Sequence, residues 1–460
     1  MSATIDFPFS RAKLAQIRAR EDAAYQARTP RSQALREQGR AHMPQGVPMA
    51  WMVSLNRLGP PFIDHASGTQ FTDVDGNSYL DFNVADLSMT MGYAPKPIVD
   101  AVCRQVQRGA QFLLPTEDAV HVSRLLAEQV GLPYWQFTLS ASGANTEVMR
   151  IARHMTEREK MVIFDGHFHG HIDETMVTQT DAGVVHEQFG PAKSSAGPTL
   201  ILPFNDLAAL EEVLATQQVA LVLTEPALTN CTLVQPEPGY LQGVRELTRK
   251  YGTLLCLDEA HTFQFGYGGL TGAWGLETDF VVLGKGLGSG IAFALYGMSE
   301  AVARHLEQYI DSDAGPIGLA TGGTLYASAL AVAAARASLE EVLTPANYQR
   351  IERLGGRLAD GLRLLIKQHQ LPWQAFQLGP RAGFCLTPEL PRTGATANLS
   401  IDVDFIDCRR VYMANRGIWD AIISAGPQVS FAHTEADVDT YLRVVGEFLA
   451  ELADCNGAQQ

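Results

Sequence analysis

Hydrophobic and polar positions change their period several times along the chain. Apolar side chains recur at helical spacing in residues 97–110 and 119–130, and in the segments TEVMRIARHM and YLQGVRELTRKYG. Short apolar runs typical of buried strands lie beside them: WQFTLS, KMVIF, VALVLTEP, TLLCLDEA and DFVVLG. Helices that alternate with buried strands favour a mostly parallel sheet covered by helices. We therefore predict a large α/β domain over residues 86–335.

The two ends of the chain have a different pattern. Charged residues at helical spacing extend from about Arg11 to Arg40, and GTQFTDVDGNSYLDF has two strand-like runs around an Asp-Gly pair, which is a strong hairpin signal. Beyond the large domain, residues 327–343 and 350–368 are helical in pattern, GFCL is strand-like, and a last helix is expected from about Glu435 to Ala453. Residues 1–85 and 336–460 are therefore expected to build a smaller α+β domain together.

Composition narrows the class of protein. A chain of 460 residues with 46% hydrophobic content is long enough for two cores, and its net charge of −15 argues against a nucleic-acid partner. The cysteines are far apart and lack metal-ligand spacing, which favours a reducing compartment; they are Cys103, Cys231, Cys256, Cys385, Cys408 and Cys455. Because no window has the length and apolarity of a membrane span, we expect a cytoplasmic protein.

Lys285 lies among glycines in GKGLGSG, directly after an apolar strand-like run. A Walker phosphate loop requires Ser or Thr after its lysine, whereas Gly286 follows here. A dinucleotide-binding fingerprint requires a helix after the glycines, whereas IAFALYGM is typical of another strand. Both phosphate-loop interpretations are therefore weak. The competing hypothesis is that Lys285 forms a Schiff base with an aldehyde cofactor.

The Schiff-base hypothesis requires partners, and the sequence supplies candidates. Pyridoxal phosphate needs a carboxylate that keeps its ring nitrogen protonated, and Asp258 ends the buried run TLLCLD. Its phosphate needs free N–H groups at a helix N-terminus, where Ser142, Gly143 and Ala144 precede a helical pattern. Taken singly, each feature also fits a capping residue or a plain turn. Their order along the chain carries the argument.

At this point the chain resembles a known family over about residues 35–450. SGANTE stands where that family has S-G-T-E-A-N, GHFHGHID is similar to G-x-Y-H-G-H-x-D, and LTEP to V-E-P. LDEAH is similar to D-E-V, LGKGLGSG to L-G-K-x-x-G-G-G, and GGTLYASALA to G-T-x-x-G-N-P-L-A. These motifs resemble the class III aminotransferases of fold type I, in the branch of the glutamate-1-semialdehyde aminomutases. The resemblance implies a large domain with a mostly parallel, seven-stranded type of sheet and a smaller α+β domain from both chain ends.

The resemblance also implies roles for individual residues. Lys285 would bind pyridoxal phosphate covalently and move the proton between substrate and cofactor carbons, and Asp258 would pair with the ring nitrogen. Phe168 would stack on one ring face, where the family has tyrosine, and Ala260 would lie on the other. Thr324 would reach the phosphate of the neighbouring subunit, which requires a homodimer. The implied cofactor-binding set is Ser142, Gly143, Ala144, Phe168, Glu225, Asp258, His261, Lys285 and Thr324.

Departures from the family pattern bear on the reaction. Ala144 replaces a threonine that adds a hydroxyl to the phosphate cup, and Phe265 stands where many relatives have arginine. His261 stands where relatives have Gln or Met beside the phenolic oxygen of the cofactor. It is either a packed core histidine or a hydrogen-bond partner of that oxygen.

The substrate-binding residues are the least determined part of the sequence. Ala50 and Trp51 lie about where some amino-acid-specific relatives place a carboxylate-binding arginine. Trp51 and Met52 are either core residues or the lining of a pocket for an aromatic or aliphatic group. Arg57, Arg381 and Arg416 are candidates for binding an acidic group, although each also fits a structural role.

The histidines of HFHGH raise the question of a metal site. Alternate residues of a strand face one side, but no carboxylate or cysteine set completes a closed site, so we expect no metal.

Three functions remain open. The leading hypothesis is an aminotransferase that moves nitrogen from an amine or amino acid, aromatic and β-amino acids included, to a 2-oxo acid. The second is an ammonia-lyase or aminomutase that uses the same cofactor, Lys285 and Asp258. A non-catalytic dimeric scaffold is disfavoured, because both Lys285 and Asp258 are present.

Overall fold

A computed structural model gives the fold and describes residues 7–180, 183–187, 190–311, 321–423 and 425–453. Cys455 and the first six residues lie outside these ranges. The α-helices are α1 Arg11–Arg28, α2 Pro30–Gly39, α3 Lys96–Arg108, α4 Glu117–Val130, α5 Ala141–Thr156, α6 Leu207–Leu214, α7 Tyr240–Tyr251, α8 Gly269–Trp274, α9 Glu300–Asp311, α10 Ala329–Ala337, α11 Pro345–Gln368, α12 Gly394–Asn398, α13 Val403–Ala414 and α14 Glu435–Ala453.

The strands are β1 Ile63–Ser67, β2 Gln70–Asp73, β3 Ser78–Asp81, β4 Tyr134–Thr138, β5 Lys160–Phe164, β6 Val177–Thr180, β7 Gly183–His186, β8 Thr199–Leu202, β9 Val219–Thr224, β10 Leu254–Asp258, β11 Phe280–Leu283, β12 Ala294–Met298, β13 Gln374–Leu378, β14 Arg381–Cys385 and β15 Ile418–Trp419. Short 3-10 helices lie at Pro44–Gly46, Ala50–Leu55, Lys193–Ala196, Thr262–Gln264 and Lys285–Gly288, and a π-helix at Ser338–Val342.

The chain divides into two compact units, which are described separately. One comprises the described parts of residues 1–95, 349–390 and 399–460, and the other comprises those of 96–348 and 391–398. The domain boundaries expected from the sequence, after residues 85 and 335, stay a prediction.

A seven-stranded sheet forms the centre of the second unit. Its order is β4-β12-β11-β10-β9-β5-β8, and β12 runs antiparallel to both of its neighbours while the pairs from β11 to β8 are parallel. All six residues of β9 are buried, as expected for a strand covered on both faces. The predicted mixed α/β fold with a mostly parallel sheet is therefore confirmed.

The register of this sheet brings three chain segments to one edge. Asp258, the last residue of β10, pairs with Val282 in β11, and β9 lies parallel on the other side of β10. The segments that leave these strands begin with Glu225 after β9, Glu259 after β10 and Gly284 after β11. Because carboxyl ends of parallel strands meet at one edge, residues that follow them become neighbours.

The first unit contains a four-stranded sheet of order β1-β2-β3-β15. Strands β2 and β3 form the hairpin predicted around Asp75-Gly76, and the carboxylate of Asp73 accepts the backbone N–H groups of Asp75 and Asn77 at 3.0 and 2.8 Å. Such Asx bonding fixes the turn. The terminal helix is α14, as expected from both its start and its end. The predicted smaller α+β domain built from both chain ends is confirmed.

The long helix predicted over residues 327–343 is interrupted. Helix α10 ends at Ala337 and continues as the π-helix Ser338–Val342. The Ser338 hydroxyl donates to the carbonyl of Ala334 at 3.0 Å, and the Leu343 N–H donates to the Ser338 carbonyl at 2.8 Å. Serine back-bonding within a helix competes with the α-helical ladder and explains the wider last turn.

Within the described ranges, no helix is long and apolar enough to cross a bilayer.

Candidate active site

Lys285 begins the short 3-10 helix that follows β11, and its backbone has a left-handed φ of 49°. A left-handed non-glycine residue costs about 1–2 kcal/mol, and such strain clusters at functional sites. A Cβ added to Gly284 would lie 3.4 Å from Cβ of Ala141, so the lysine turn packs on the start of α5. The next element is strand β12, as predicted, which is incompatible with both phosphate-loop interpretations.

Asp258 is buried and holds three hydrogen bonds. Its Oδ2 accepts from Nδ2 of Asn145 at 2.8 Å and from Nδ1 of His169 at 2.9 Å. Its Oδ1 accepts from the backbone N–H of Ala260 at 3.0 Å. A buried carboxylate is costly unless hydrogen bonds replace its water, and these donors do so. Since a carboxylate only accepts, Nδ1 of His169 carries the hydrogen.

Asn145 and His169 reach Asp258 from two different elements. Asn145 lies in the first turn of α5, and its Nδ2 also donates to the carbonyl of His169 at 3.0 Å. Asn145 Oδ1 and His169 Nε2 are buried and have no partner among the described residues. Such orphaned atoms in a polar cluster suit a bound polar group. The sequence did not single out either residue as a partner of Asp258.

The residues predicted to form an anion site lie at the N-terminus of α5. Ser140 caps the helix, with its Oγ accepting the N–H of Gly143 at 3.1 Å. A Cβ on Gly143 would lie 3.1 Å from the hydroxyl of Tyr326, which leaves little room for a larger side chain. Ser142 Oγ accepts the N–H of His171 at 3.1 Å, which ties the histidine-rich loop to the helix start. The N–H of Ala144 donates to the carbonyl of Ser140 at 3.0 Å, so both Gly143 and Ala144 have partners within the helix start, and it is the helix dipole that favours an anion here.

The loop from His167 to His171 presents Phe168 and buries its neighbours. Phe168 is 44% exposed, whereas His169 is 2% exposed. The ring nitrogens of His167 lie 2.8 and 2.7 Å from the carbonyls of Phe164 and Thr175, and burial lowers the pKa of His167 to about 4. Because carbonyl oxygens only accept and the neutral imidazole has one N–H, His167 donates to one of these two carbonyls. No cluster of three or more His, Cys, Asp or Glu suited to a metal ion occurs in the described ranges.

Glu225 and His261 are joined by a residue that the sequence did not indicate. Thr229 N–H donates to Oε2 of Glu225 at 3.1 Å, and the Thr229 hydroxyl also donates to that oxygen. The same hydroxyl lies 2.6 Å from Nδ1 of His261. Burial raises the pKa of Glu225 to about 7. His261 is half-buried, so it is neither a fully packed core histidine nor a surface residue.

Glu225→Gln tests the burial of this acid through pH-dependent stability. Because its pKa rises from 4.5 to about 7 on folding, Glu225 contributes stability that is fully present below pH 4.5 and lost as pH rises through about 7. Glutamine does not titrate, so the variant does not lose this contribution. As pH rises through this range, the free energy of unfolding of the wild type should fall by about 3 kcal/mol relative to that of the variant. Urea unfolding of the apoprotein measures it. Glu246→Gln, at an exposed position, should give a flat difference; a flat difference for Glu225→Gln contradicts the prediction.

The remaining predicted residues are divided between the two units. Thr324 is exposed, and its carbonyl accepts Nε2 of Gln111 at 2.8 Å. Trp51 is 43% exposed, and Met52 is half-buried; both lie on the 3-10 helix Ala50–Leu55 of the first unit. Phe265 is buried in the second unit.

Arg57 and Arg416 form ion pairs. Arg57 donates to Asp22, and Arg416 donates to Glu21 at 3.1 and 3.2 Å. These ion pairs argue for structural roles. Arg381 is 1% exposed and begins β14.

The fold and this arrangement define a class of protein. The chain belongs to the class III aminotransferases, whose family model matches residues 55–388. It is therefore an enzyme of a pyridoxal-phosphate-dependent family, and the recognised resemblance and the cofactor are confirmed.

Individual relatives lie in the aminomutase branch. A glutamate-1-semialdehyde 2,1-aminomutase of Chloroflexus aggregans is 34% identical over 92% of this chain and 99% of its own length. A crystal structure of a glutamate-1-semialdehyde-aminomutase from Pseudomonas aeruginosa superposes with a TM-score of 0.93 at 35% identity, covering 97% of this chain and 100% of that one. An omega-transaminase from Sphaerobacter thermophilus gives a TM-score of 0.83 at 27% identity, covering 93% and 98%.

Proposed function

We propose that this protein is an aminomutase, which moves an amino group between neighbouring carbons of one small molecule. We prefer the second hypothesis to the first because the two aminomutases named above match this chain over nearly their whole length. The observation that carries the chemistry is the buried Asp258 network one strand from Lys285.

Each residue of the cluster has a task toward pyridoxal phosphate. When bound, the cofactor takes up the electron pair left on a substrate carbon as a proton departs. Lys285 holds the cofactor and then carries that proton on its Nζ. Asp258 keeps a positive charge on the ring nitrogen, and its three donors keep the carboxylate in place. Gly143 and Ala144 at the start of α5 bind the phosphate together with Ser142.

The faces of the ring are assigned to small and aromatic side chains. Phe168 stacks on one face, and its exposure leaves it open to a planar group. Ala260 lies on the other face, held beside Asp258 through its N–H. His261 would stand beside the phenolic oxygen. Ala144 adds no hydroxyl to the phosphate site, so the side-chain hydroxyl there would come from Thr324 of the neighbouring subunit.

The substrate is proposed to have an apolar part, for which Trp51 and Met52 stay the candidates that the sequence indicates. Arg57 and Arg416 are engaged by Asp22 and Glu21, which leaves neither available for a substrate carboxylate. Glutamate 1-semialdehyde and an analogue that lacks its carboxylate are therefore the two substrates to compare.

Turnover with a single substrate tests the proposal. Holoenzyme given either 2-amino aldehyde, without donor or acceptor, should form the isomeric 1-amino ketone with no ammonia release. A mixture of amines with pyruvate or 2-oxoglutarate forms the second arm. If the mixture gives alanine or glutamate and the single substrate gives no isomer, the protein is a transaminase and not an aminomutase. Ammonia release without an acceptor would indicate a lyase.

A transaminase remains the second candidate function. The Sphaerobacter thermophilus omega-transaminase shares 27% identity and nearly the full fold. Lys285 and Asp258 serve transfer between two molecules equally well, so the panel above separates the two by product.

We propose a homodimer in which Thr324 of each subunit binds the phosphate held by the other. Exposed apolar residues follow Thr324 and its hydrogen-bond partner Gln111 in the chain. With exposed fractions from 45% to 71%, they are Phe112, Leu113, Leu114 and Leu325. Patches of this kind on a folded chain mark contact surfaces.

Leu114→Asp should disrupt this dimer. A charge placed at a 71% exposed apolar position would be desolvated in the interface, so we expect a monomer and a cofactor that is lost about ten times more readily. Light scattering and the absorbance retained after dialysis measure both effects. Leu364→Asp, at a 68% exposed position on α11, should leave the dimer intact. A dimeric Leu114→Asp protein contradicts this interface.

A further inference from the structure

Glu225, Thr229 and His261 form a continuous hydrogen-bonded row at the carboxyl edge of the sheet. Glu225 directly follows β9 and His261 follows β10 by three residues, so the row spans two neighbouring parallel strands. Thr229 lies between them, with its hydroxyl in reach of both Glu225 Oε2 and His261 Nδ1. Oε1 of Glu225 is buried without a partner among the described residues.

A threonine hydroxyl has one hydrogen, so this row has two complete arrangements. In the first, Glu225 is ionised, Thr229 donates to it, and Nδ1–H of His261 donates to the Thr229 oxygen. In the second, the Glu225 carboxyl donates to the Thr229 oxygen, Thr229 donates to bare Nδ1 of His261, and the imidazole hydrogen is on Nε2. The backbone N–H of Thr229 holds Oε2 at 3.1 Å in both.

We propose that these three residues are a proton relay that lets His261 accept a proton at Nε2 without becoming a cation. As Nε2 gains a proton, the Nδ1 proton passes to the Thr229 oxygen, and the Thr229 hydroxyl proton passes to Oε2 of Glu225. One O–H or N–H bond forms at each step as another breaks. The net change is a neutralised Glu225 carboxylate and a tautomer change of His261. The reverse sequence returns the proton.

The surroundings of Glu225 determine its pKa, and with it the populations of the two arrangements. Burial raises the pKa of Glu225, the neighbouring His169 lowers it, and Asp258 raises it. Burial and Glu225 in turn raise the pKa of the Cys231 thiol. These influences leave the pKa of Glu225 at about 7, so both arrangements are populated near neutral pH.

The relay adds a role beyond those assigned to Lys285 and Asp258. The use of its proton in the reaction rests on the proposed function. An amino shift within one molecule requires protons to be delivered at more than one atom, whereas Lys285 supplies one position. His261 is half-buried and follows the strand that ends in Asp258, so it faces the same site edge. Glu225 and Thr229 act through His261 and are positioning residues.

The tautomer of His261 tests the relay directly. Holoenzyme with ¹⁵N-labelled histidine is titrated by NMR from about pH 5.5 to 9, the range in which histidine switches. The His261 signals are assigned by their loss in His261→Gln. We expect the wild type to move from the Nδ1–H tautomer to the Nε2–H tautomer as pH falls through about 7. Thr229→Ser keeps the hydroxyl and should keep this transition.

Thr229→Val removes the hydroxyl at nearly constant volume and should abolish the coupled transition, so that His261 becomes an imidazolium independently of Glu225. Its kcat/KM should fall about tenfold and recover in Thr229→Ser. Thr229→Ala gives the same readout if the valine variant does not fold. Identical His261 tautomers in the wild type and in the valine or alanine variant would overturn the relay, as would a wild-type His261 that becomes doubly protonated at neutral pH. Absence of aminomutase turnover would leave the NMR result unchanged, so the two failures are distinguishable.

Discussion

Lys285→Ala should lower turnover by about 10⁴-fold, because in the proposed function one side chain would both hold the cofactor and move the proton. No described neighbour replaces a primary amine at this turn, since Gly284, Gly286 and Leu287 flank it. The cofactor should also leave the variant on dialysis far faster than it leaves the wild type. Initial rates and the cofactor absorbance retained after dialysis measure the two effects.

The control for this variant is Lys250→Ala. Lys250 is exposed on α7 and pairs with Glu211 at 2.6 Å, so its removal should leave turnover unchanged. A small primary amine added to Lys285→Ala should restore part of the lost rate, because it supplies the missing base. Turnover within tenfold of the wild type in Lys285→Ala, without added amine, would show that another group does this chemistry.

Asp258→Asn should lower kcat by about 10³-fold. The substitution removes the negative charge that is proposed to pair with the ring nitrogen of the cofactor. It also disturbs the local hydrogen bonds, because Asp258 accepts from Asn145, His169 and the N–H of Ala260. An asparagine amide has only one accepting oxygen, so one of these donors meets an NH₂ group. Steady-state kinetics and the cofactor spectrum of the variant measure the loss.

The matched control is Asp279→Asn, one strand away. Asp279 is buried and pairs with Arg245 at 2.6 and 3.1 Å. Losing that pair should lower the melting temperature and leave kcat per folded molecule unchanged. If Asp258→Asn behaved like Asp279→Asn, with lower stability and normal kcat, Asp258 would be a structural residue.

The fold could be predicted where a continuous run of residues has one clear hydrophobic period. TLLCLDEA and DFVVLG became β10 and β11, and the Asp-Gly turn became a hairpin, because burial and turn chemistry are local properties. Strand β8, with the sequence TLIL, was missed. Its four residues lie at the sheet edge, three of them only half-buried, so the run is too short and too weakly patterned to signal a strand.

The site was predictable only as far as motifs extend. Lys285, Asp258 and the start of α5 follow from glycine spacing and strand ends. The donors to Asp258 and the bridge through Thr229 depend on which side chains from separate elements meet, and that is decided by tertiary packing. Asn145 lies inside the quoted motif SGANTE, and His169 inside GHFHGHID. Both residues are part of motifs that the sequence shows, but nothing in their spacing indicated that they converge on one carboxylate.

The most direct measurement is borohydride reduction of the purified holoenzyme followed by peptide mass mapping. Reduction fixes the covalent link between the cofactor and its lysine. We predict one modified peptide, which contains Lys285 and carries the mass of reduced pyridoxal phosphate. Modification of a different lysine, or the absence of any modified peptide from active enzyme, would contradict the account.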